Sequence, residues 1–244
     1  DIGWGLDYAA LRNWGMEEVP HKKYLNDFFQ GRTAGSVSRG ELYNEDPVTG
    51  DARFCGTTAS MCGVECAGFE QDEAKMEMAV RKDLMLHAYM FTQSGIPLLY
   101  SGDEVGQVND YTYKEDPDKA ADSRYIHRGK FCWDLVDQIR DPSSVQGRIF
   151  GGLEQLETIR RTEAVFDADA EVYTRDYDDT SILWIVRKAG GEEFHAVFNF
   201  SNQGRKIWMP EKANYTDLLT GKTGEIETAD LDGWDFVWMK RKKI

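Results

Sequence analysis

The sequence predicts an α/β segment followed by an all-β segment, and three observations carry that prediction. A continuous apolar run, Gly95-Ile-Pro-Leu-Leu-Tyr100, stops at the adjacent carboxylates Asp103 and Glu104 between glycines, the pattern of a strand buried on both faces in a parallel sheet. Ahead of it, Met76, Val80, Leu84, Ala88 and Phe91 recur at helical spacing, so helix and strand form one αβ unit. Beyond about residue 167 that spacing gives way to short alternating runs.

Taken in order, residues 1 to about 68 are rich in glycine and turn residues and predict a long excursion with little regular structure, of the kind that forms functional loops or an inserted subdomain. A helix follows from Gln71, with acidic residues in its first turn where the dipole favours them and Gly95 as its stop. After the strand comes a polar loop from Gln107 to about Arg140. Asp141-Pro142 then supplies an N-cap and a first-turn proline for a second helix, whose apolar stripe is Ile149, Leu153, Leu156 and Ile159. Strands are expected at 171–175, 182–187, 194–200, 206–209, 215–219 and 235–239, with a hairpin turn at Ala189-Gly190-Gly191-Glu192. Such spacing predicts an antiparallel β-sandwich, and the chain divides into residues 1–167 and 168–244.

With 244 residues and 41% hydrophobic content, the chain can bury real cores. Its formal charge of -14 argues against nucleic acid and against anionic membrane surfaces, and the basic end Lys240-Arg241-Lys242-Lys243 is expected to be a solvated terminus. No stretch has the apolar length of a membrane span and no leader opens the chain; Asp1 is not expected to be a natural start. Cys55, Cys62, Cys66 and Cys132 do not make a disulfide framework, which predicts buried free thiols and a cytoplasmic location. His21, His87, His127 and His195 lack metal-ligand spacing, so neither a metal nor another cofactor is expected.

Asp103 and Glu104 alone do not decide between chemistry and the capping of a turn. Their context is more specific. Asp1-Ile-Gly-Trp4, Gly95-Ile-Pro-Leu-Leu-Tyr-Ser-Gly-Asp-Glu-Val-Gly106, Asn109-Asp110, Asp122-Ser-Arg-Tyr-Ile-His-Arg128 and Asp141-Pro-Ser-Ser144 occur in this order. Together they resemble the C-terminal part of family 13, α-amylase-type glycoside hydrolases, most closely the amylosucrases. The resemblance is strong over residues 1–165 and rests on position and architecture beyond.

The resemblance implies the last part of a (β/α)8 TIM barrel followed by a β-sandwich. Residues 95–100 correspond to the eighth barrel strand, the helix from Gln71 to the seventh helix, and segment 3–68 to a subdomain inserted after the seventh strand. Such enzymes cleave by a retaining mechanism with a carboxylate nucleophile, a carboxyl acid/base and a third, stabilising Asp. All three correspond to positions upstream of Asp1, so this chain is expected to hold no catalytic residue and to turn over no glycoside alone. What it holds resembles the binding wall. Arg124 matches the arginine that closes the glucose pocket by pairing with an upstream carboxylate; a surface pair with Asp122 is the competing, purely structural role. Asp1 and Gly3 match residues of the adjacent subsite, and Arg53 matches an acceptor-side arginine. Lys22 stands where the amylosucrase pattern has arginine, replacing a planar fork by a point charge. Trp4 and Tyr24 are the candidates for sugar stacking, whereas Trp184 and Trp238 are expected in the core. Implied partners are sucrose, α-glucan oligosaccharides and the remainder of the parent polypeptide, with no nucleic acid and no membrane. Three alternatives stay open: another family 13 α-glucosidase, sucrose hydrolase or glucanotransferase; a non-catalytic carbohydrate-binding module; and an unrelated two-domain protein.

Overall fold

The structure is a computed structural model and describes the backbone of residues 2–3 together with residues 7–242. Asp1 and Trp4 lie outside the described residues. By contacts the chain forms two compact units, residues 1–80 with 100–146 and residues 81–99 with 147–244.

In the first unit, β1 (Ile2–Gly3), α1 (Tyr8–Asn13), α2 (Glu18–Phe29), β2 (Glu41–Tyr43), β3 (Arg53–Cys55), α3 (Thr58–Cys62) and α4 (Val64–Glu70) follow one another. The segment expected to be irregular is thus largely structured. α2 gives no apolar stripe to read because the residues it buries are Lys22 and Asn26, and α1, α3 and α4 are only 6, 5 and 7 residues long, too short to show a helical period. β3 is the centre of a three-stranded antiparallel sheet, order β1-β3-β2. α5 (Glu73–Thr92) begins directly after Asp72, whose carboxylate accepts from Lys75 N at 3.0 Å. Its first turns pack Met76 and Ala79 against Ala59, Val64 and Val145.

The buried strand expected at residues 95–100 is not formed. Those residues carry no strand assignment, and Ile96 and Leu98 are 87% and 81% exposed. A strand exists only through ladder bonds to neighbours, and none of the described residues pairs with this segment. Asp103 and Glu104 cap their own 3-10 turn, Asp103–Val105: Tyr100 N donates to Asp103 Oδ2 at 3.3 Å and Gly102 N to Glu104 Oε2 at 2.8 Å.

In the second unit α6 (Val145–Thr162) starts later than its Asp-Pro signal, because Asp141 turns its carboxylate onto Ser143 N at 2.9 Å instead of the helix. Its stripe Ile149, Leu153, Leu156 and Ile159 is buried as the spacing requires. Then come β4 (Glu171–Thr174), β5 (Ile182–Ala189), β6 (Glu192–Asn199), β7 (Arg205–Asp217), β8 (Thr223–Leu231) and β9 (Phe236–Lys242). Gly190 and Gly191 both have positive φ, 57° and 77°, which a two-residue hairpin between β5 and β6 demands.

The expected sandwich is one continuous six-stranded antiparallel sheet, order β4-β5-β6-β9-β7-β8. It differs from two separate sheets because the long β7 joins β9 at its last residues, Thr216 and Asp217. The rest of the β7–β8 ribbon folds over, so Ile207, Met209, Ala229 and Leu231 meet Trp184, Val186, Val197 and Met239. On the opposite face Phe166 packs on Phe194 and Trp238, and Tyr89 of α5 on Phe198. Covered on both sides, β6 is buried from Glu193 to Asn199, and Trp184 and Trp238 are core residues as predicted.

His195 sits inside this core, fully buried. Trp184 Nε1 donates to its Nδ1 at 3.2 Å, and an indole can only donate, so the ring is neutral with its proton on Nε2, 3.7 Å from Glu193 Oε1. Burial pushes the His195 pKa down, against the pull of Glu193, to about 4. Because the unfolded chain binds this proton more readily, stability is full above pH 6.5 and declines as pH falls from about 6.5 to about 4, by on the order of 3 kcal/mol. His195→Gln keeps an acceptor for Trp184 and removes the titration. Its unfolding midpoint should lose this acid slope, and an unchanged slope would assign the acid sensitivity elsewhere.

Candidate functional site

The register of the three-stranded sheet lines up Gly3, Arg53 and Tyr43 across β1, β3 and β2. Residues directly opposite in antiparallel strands share a face, so Arg53 and Tyr43 project together. The 3-10 turn Ser123–His127 is fastened beside β2 by Ser123 Oγ, which donates to Leu42 O at 2.8 Å. That fastening sets the Arg124 guanidinium 4.4 Å from the centroid of the Tyr43 ring.

Arg124 is fixed on its other side by Asp122. Its Nε donates to Asp122 Oδ1 at 2.8 Å and its Nη2 to Oδ2 at 2.7 Å, and its backbone N donates to Oδ1 at 3.0 Å. The Arg124 hydrogen bonds hold the Asp122 carboxyl down at about 2, so the pair stays charged at any ordinary pH. Within this chain, therefore, the carboxylate that orients Arg124 is Asp122.

Lys22 is placed differently. Its side chain is 4% exposed, and Nζ donates to Glu18 Oε1 at 2.7 Å and Asp51 Oδ1 at 2.6 Å while lying 5.3 Å from the Tyr8 ring. The hydrogen bond to Asp51, then that to Glu18, raises its pKa. The geometry makes Lys22 a strut that fixes Asp51, two residues before Arg53, against α2. Tyr24 is half exposed in an apolar groove with Met16, Pro20 and His21.

A buried polar cluster ties the loop after Gly106 to this frame. Asn109 accepts from Thr57 N at 2.9 Å, donates through Nδ2 to Arg39 O, and donates through its backbone N to Ser60 Oγ at 2.9 Å. Ser60 Oγ and Tyr111 OH in turn donate to Glu65 at 2.5 and 2.7 Å. From Asn109 the chain runs directly to Asp110, whose N donates to Ile126 O at 2.8 Å, and so fixes the Arg124 turn.

Three sequence-predicted positions, Gly3, Arg53 and Arg124, thus surround one patch; Asp1 lies beyond the described residues, and Lys22 is bonded to Glu18 and Asp51. Tyr43 is not among the sequence-predicted positions: nothing local in Glu41-Leu-Tyr43 signals a contact with a residue 81 positions away, and only the docking of the Ser123–His127 turn on β2 brings it about. Chemically, the patch offers one guanidinium held in a fixed plane and a second arginine across the strand. Both are donors suited to ring hydroxyls or oxyanions.

No family model matches the chain. Among curated proteins it is similar to the glucosylglycerate phosphorylase of Escherichia coli K12, 24% identical over 170 residues, covering 69% of this chain and 30% of that protein. It is similar also to the glucosylglycerate phosphorylase of Spirochaeta thermophila, 24% identical over 176 residues and again 30% of its length. The chain therefore spans about 30% of the length of the curated relatives it matches. Among solved structures, the trehalulose synthase of Pseudomonas mesoacidophila MX-45 superimposes with a TM-score of 0.53 at 17% identity, over 66% of this chain and 38% of that one. A mutant of the same synthase, in complex with its substrate sucrose, also gives 0.53. The trehalose-6-phosphate hydrolase of Bacillus licheniformis gives 0.52 at 15% identity, over 67% and 39%. At these identities the structural likeness shows the fold.

Proposed function

We propose that the chain is the C-terminal part of a retaining, α-glucoside-active enzyme resembling amylosucrase, which cleaves sucrose and passes the glucosyl group to a glucan or to water. In this reading residues 1–167 complete a catalytic barrel, with 3–68 as its inserted subdomain, and residues 168–244 form the following β domain. The catalytic carboxylates belong to the preceding part of the polypeptide. Asp1, Gly3, Arg53 and Arg124 serve the substrate wall, and Lys22, bonded to Glu18 and Asp51, supports it through Asp51 instead of meeting substrate.

The observation that carries the reading is the convergence of Gly3, Arg53 and Arg124 on the row that also holds Tyr43, from segments far apart in sequence. A guanidinium clamped by Asp122 and an aromatic face loses little freedom on meeting a sugar, the condition for strong orientation. The exposed Ile96 and Leu98 fit a segment that gains strand neighbours in the longer polypeptide. A second reading is phosphorolysis of an α-glucoside, favoured by the similarity to two glucosylglycerate phosphorylases.

The test is the Arg124→Lys variant of the longer polypeptide. Lysine keeps the charge and loses the bidentate fork, so KM for the α-glucoside should rise about tenfold or more, with the folded state unchanged. An unaltered KM would remove Arg124 from the substrate wall. In the same assay, fructose released from sucrose without phosphate supports the first reading, and phosphate-dependent formation of a glucose phosphate supports the second.

A further inference from the structure

A cleft of about 430 Å³ opens in the first unit beside the Arg124 turn, on a part of the loop that the substrate wall does not use. Three cations line it, Lys119, Arg128 and Lys130, together with the carboxylates of Asp110 and Asp116. Both carboxylates are already engaged. Asp110 Oδ1 accepts from Thr112 N at 2.9 Å and from Thr112 Oγ1 at 2.6 Å. Gly129 packs so closely on the same group that a Cβ there would stand 2.6 Å from Oδ2. Asp116 accepts from Lys119 Nζ at 2.7 Å and from Asp118 N at 3.0 Å.

Arg128 and Lys130 are left without a carboxylate partner among the described residues. Arg128 and Lys119 each lie 5.8 Å from the centroid of the Tyr125 ring. Asp122 feels the charge of Arg128 but is itself clamped by Arg124. Lys119, Arg128 and Lys130 set against Asp110 and Asp116 leave the cleft with one net positive charge, on a chain whose net charge is -14 and whose general field repels anions. A bare oxyanion would leave most of the space empty, while a sugar-sized body would fill it.

We propose that this cleft binds a small phosphate monoester, with its phosphate against Arg128 and Lys130 and its organic part beside Tyr125. The inference rests on the cleft alone and is independent of the proposed glucoside activity. The test is calorimetric titration of the 244-residue chain with glucose 6-phosphate, inorganic phosphate and glucose, before and after a double substitution, Arg128→Gln with Lys130→Gln. Both side chains are exposed, so the double variant should keep its thermal midpoint. The expected result is saturable binding of glucose 6-phosphate, about tenfold or more tighter than inorganic phosphate, no binding of glucose, and a loss of about tenfold or more in the double variant. A charge-preserving swap, Arg128→Lys with Lys130→Arg, should retain most of the affinity. No saturable binding of glucose 6-phosphate, equal affinity for glucose, or undiminished binding in the double variant would each overturn the proposal. Equal affinity for inorganic phosphate and the monoester would overturn the assignment of the organic part.

Discussion

Arg187→Met is expected to destabilise the second unit by about 3–5 kcal/mol, the largest loss predicted for a single substitution in this chain. Arg187 is 1% exposed on the helix-facing side of β5 and has no carboxylate partner among the described residues. Its charge is carried by carbonyls instead: Nε donates to Val165 O at 2.7 Å, Nη1 to Thr92 O at 2.9 Å and Nη2 to Asp167 O at 3.2 Å. Each of those carbonyls ends or follows a helical segment whose last acceptors have no partner of their own. The guanidinium also lies 5.5 Å from the Phe166 ring centroid, and burial pushes its pKa down without making deprotonation accessible. Methionine fills similar space and orphans all three acceptors at once. Arg187→Lys, with one point charge in place of a fork, should fall between the two. Urea unfolding with an unchanged m-value measures the loss. A cost below about 1 kcal/mol for Met would mean that the carbonyls find other partners.

The second large effect belongs to Asn109, which stitches the loop after Gly106 to Arg39 and Thr57. Asn109→Ala removes one acceptor and one donor from a buried position and leaves Thr57 N and Arg39 O unpaired, a predicted cost of about 2–4 kcal/mol. Asn109→Asp is the informative companion. It restores the acceptor for Thr57 while setting a carboxylate oxygen against the Arg39 carbonyl, so it should be no more stable than the alanine variant. If aspartate were tolerated and alanine not, the acceptor alone would matter and the reach to Arg39 would be incidental. Since Asp110 anchors Ile126, loosening Asn109 should also blur the placement of Arg124. Protease sensitivity of the 107–130 loop reports that effect separately from global unfolding.

Whether an element was legible in the sequence followed from where its partners lie. α6 announces itself because its buried residues are apolar and regularly spaced, α5 because Val80, Ala88 and Phe91 recur on one face even though Asp83 and His87 are buried beside them, and the Gly190-Gly191 turn because positive φ leaves few residue choices. β8 escaped notice because Ile226, Ala229 and Leu231 are its few apolar positions and the rest of Thr223–Leu231 is polar. The expected strand at residues 95–100 shows the opposite failure. Its apolar run is a demand for neighbours, and the described residues supply none. In the site, the Asp122–Arg124 pair was visible as a sequence-local alternative, whereas Tyr43 under the guanidinium depends on the bond from Ser123 Oγ to Leu42 O, between segments 81 positions apart. Lys22 matched a motif position, yet only the structure shows that both its bonded carboxylates turn it into a strut.

In the proposed reading this chain carries substrate-binding residues of an α-glucoside enzyme and none of its catalytic carboxylates. Fructose and glucose released from sucrose, measured side by side for the purified 244-residue chain and for the longer polypeptide that contains it, test this most directly. Release is expected from the longer polypeptide alone. Turnover by residues 1–244 by themselves would contradict it, while a longer polypeptide inert to sucrose yet active on maltooligosaccharides would overturn sucrose as the substrate.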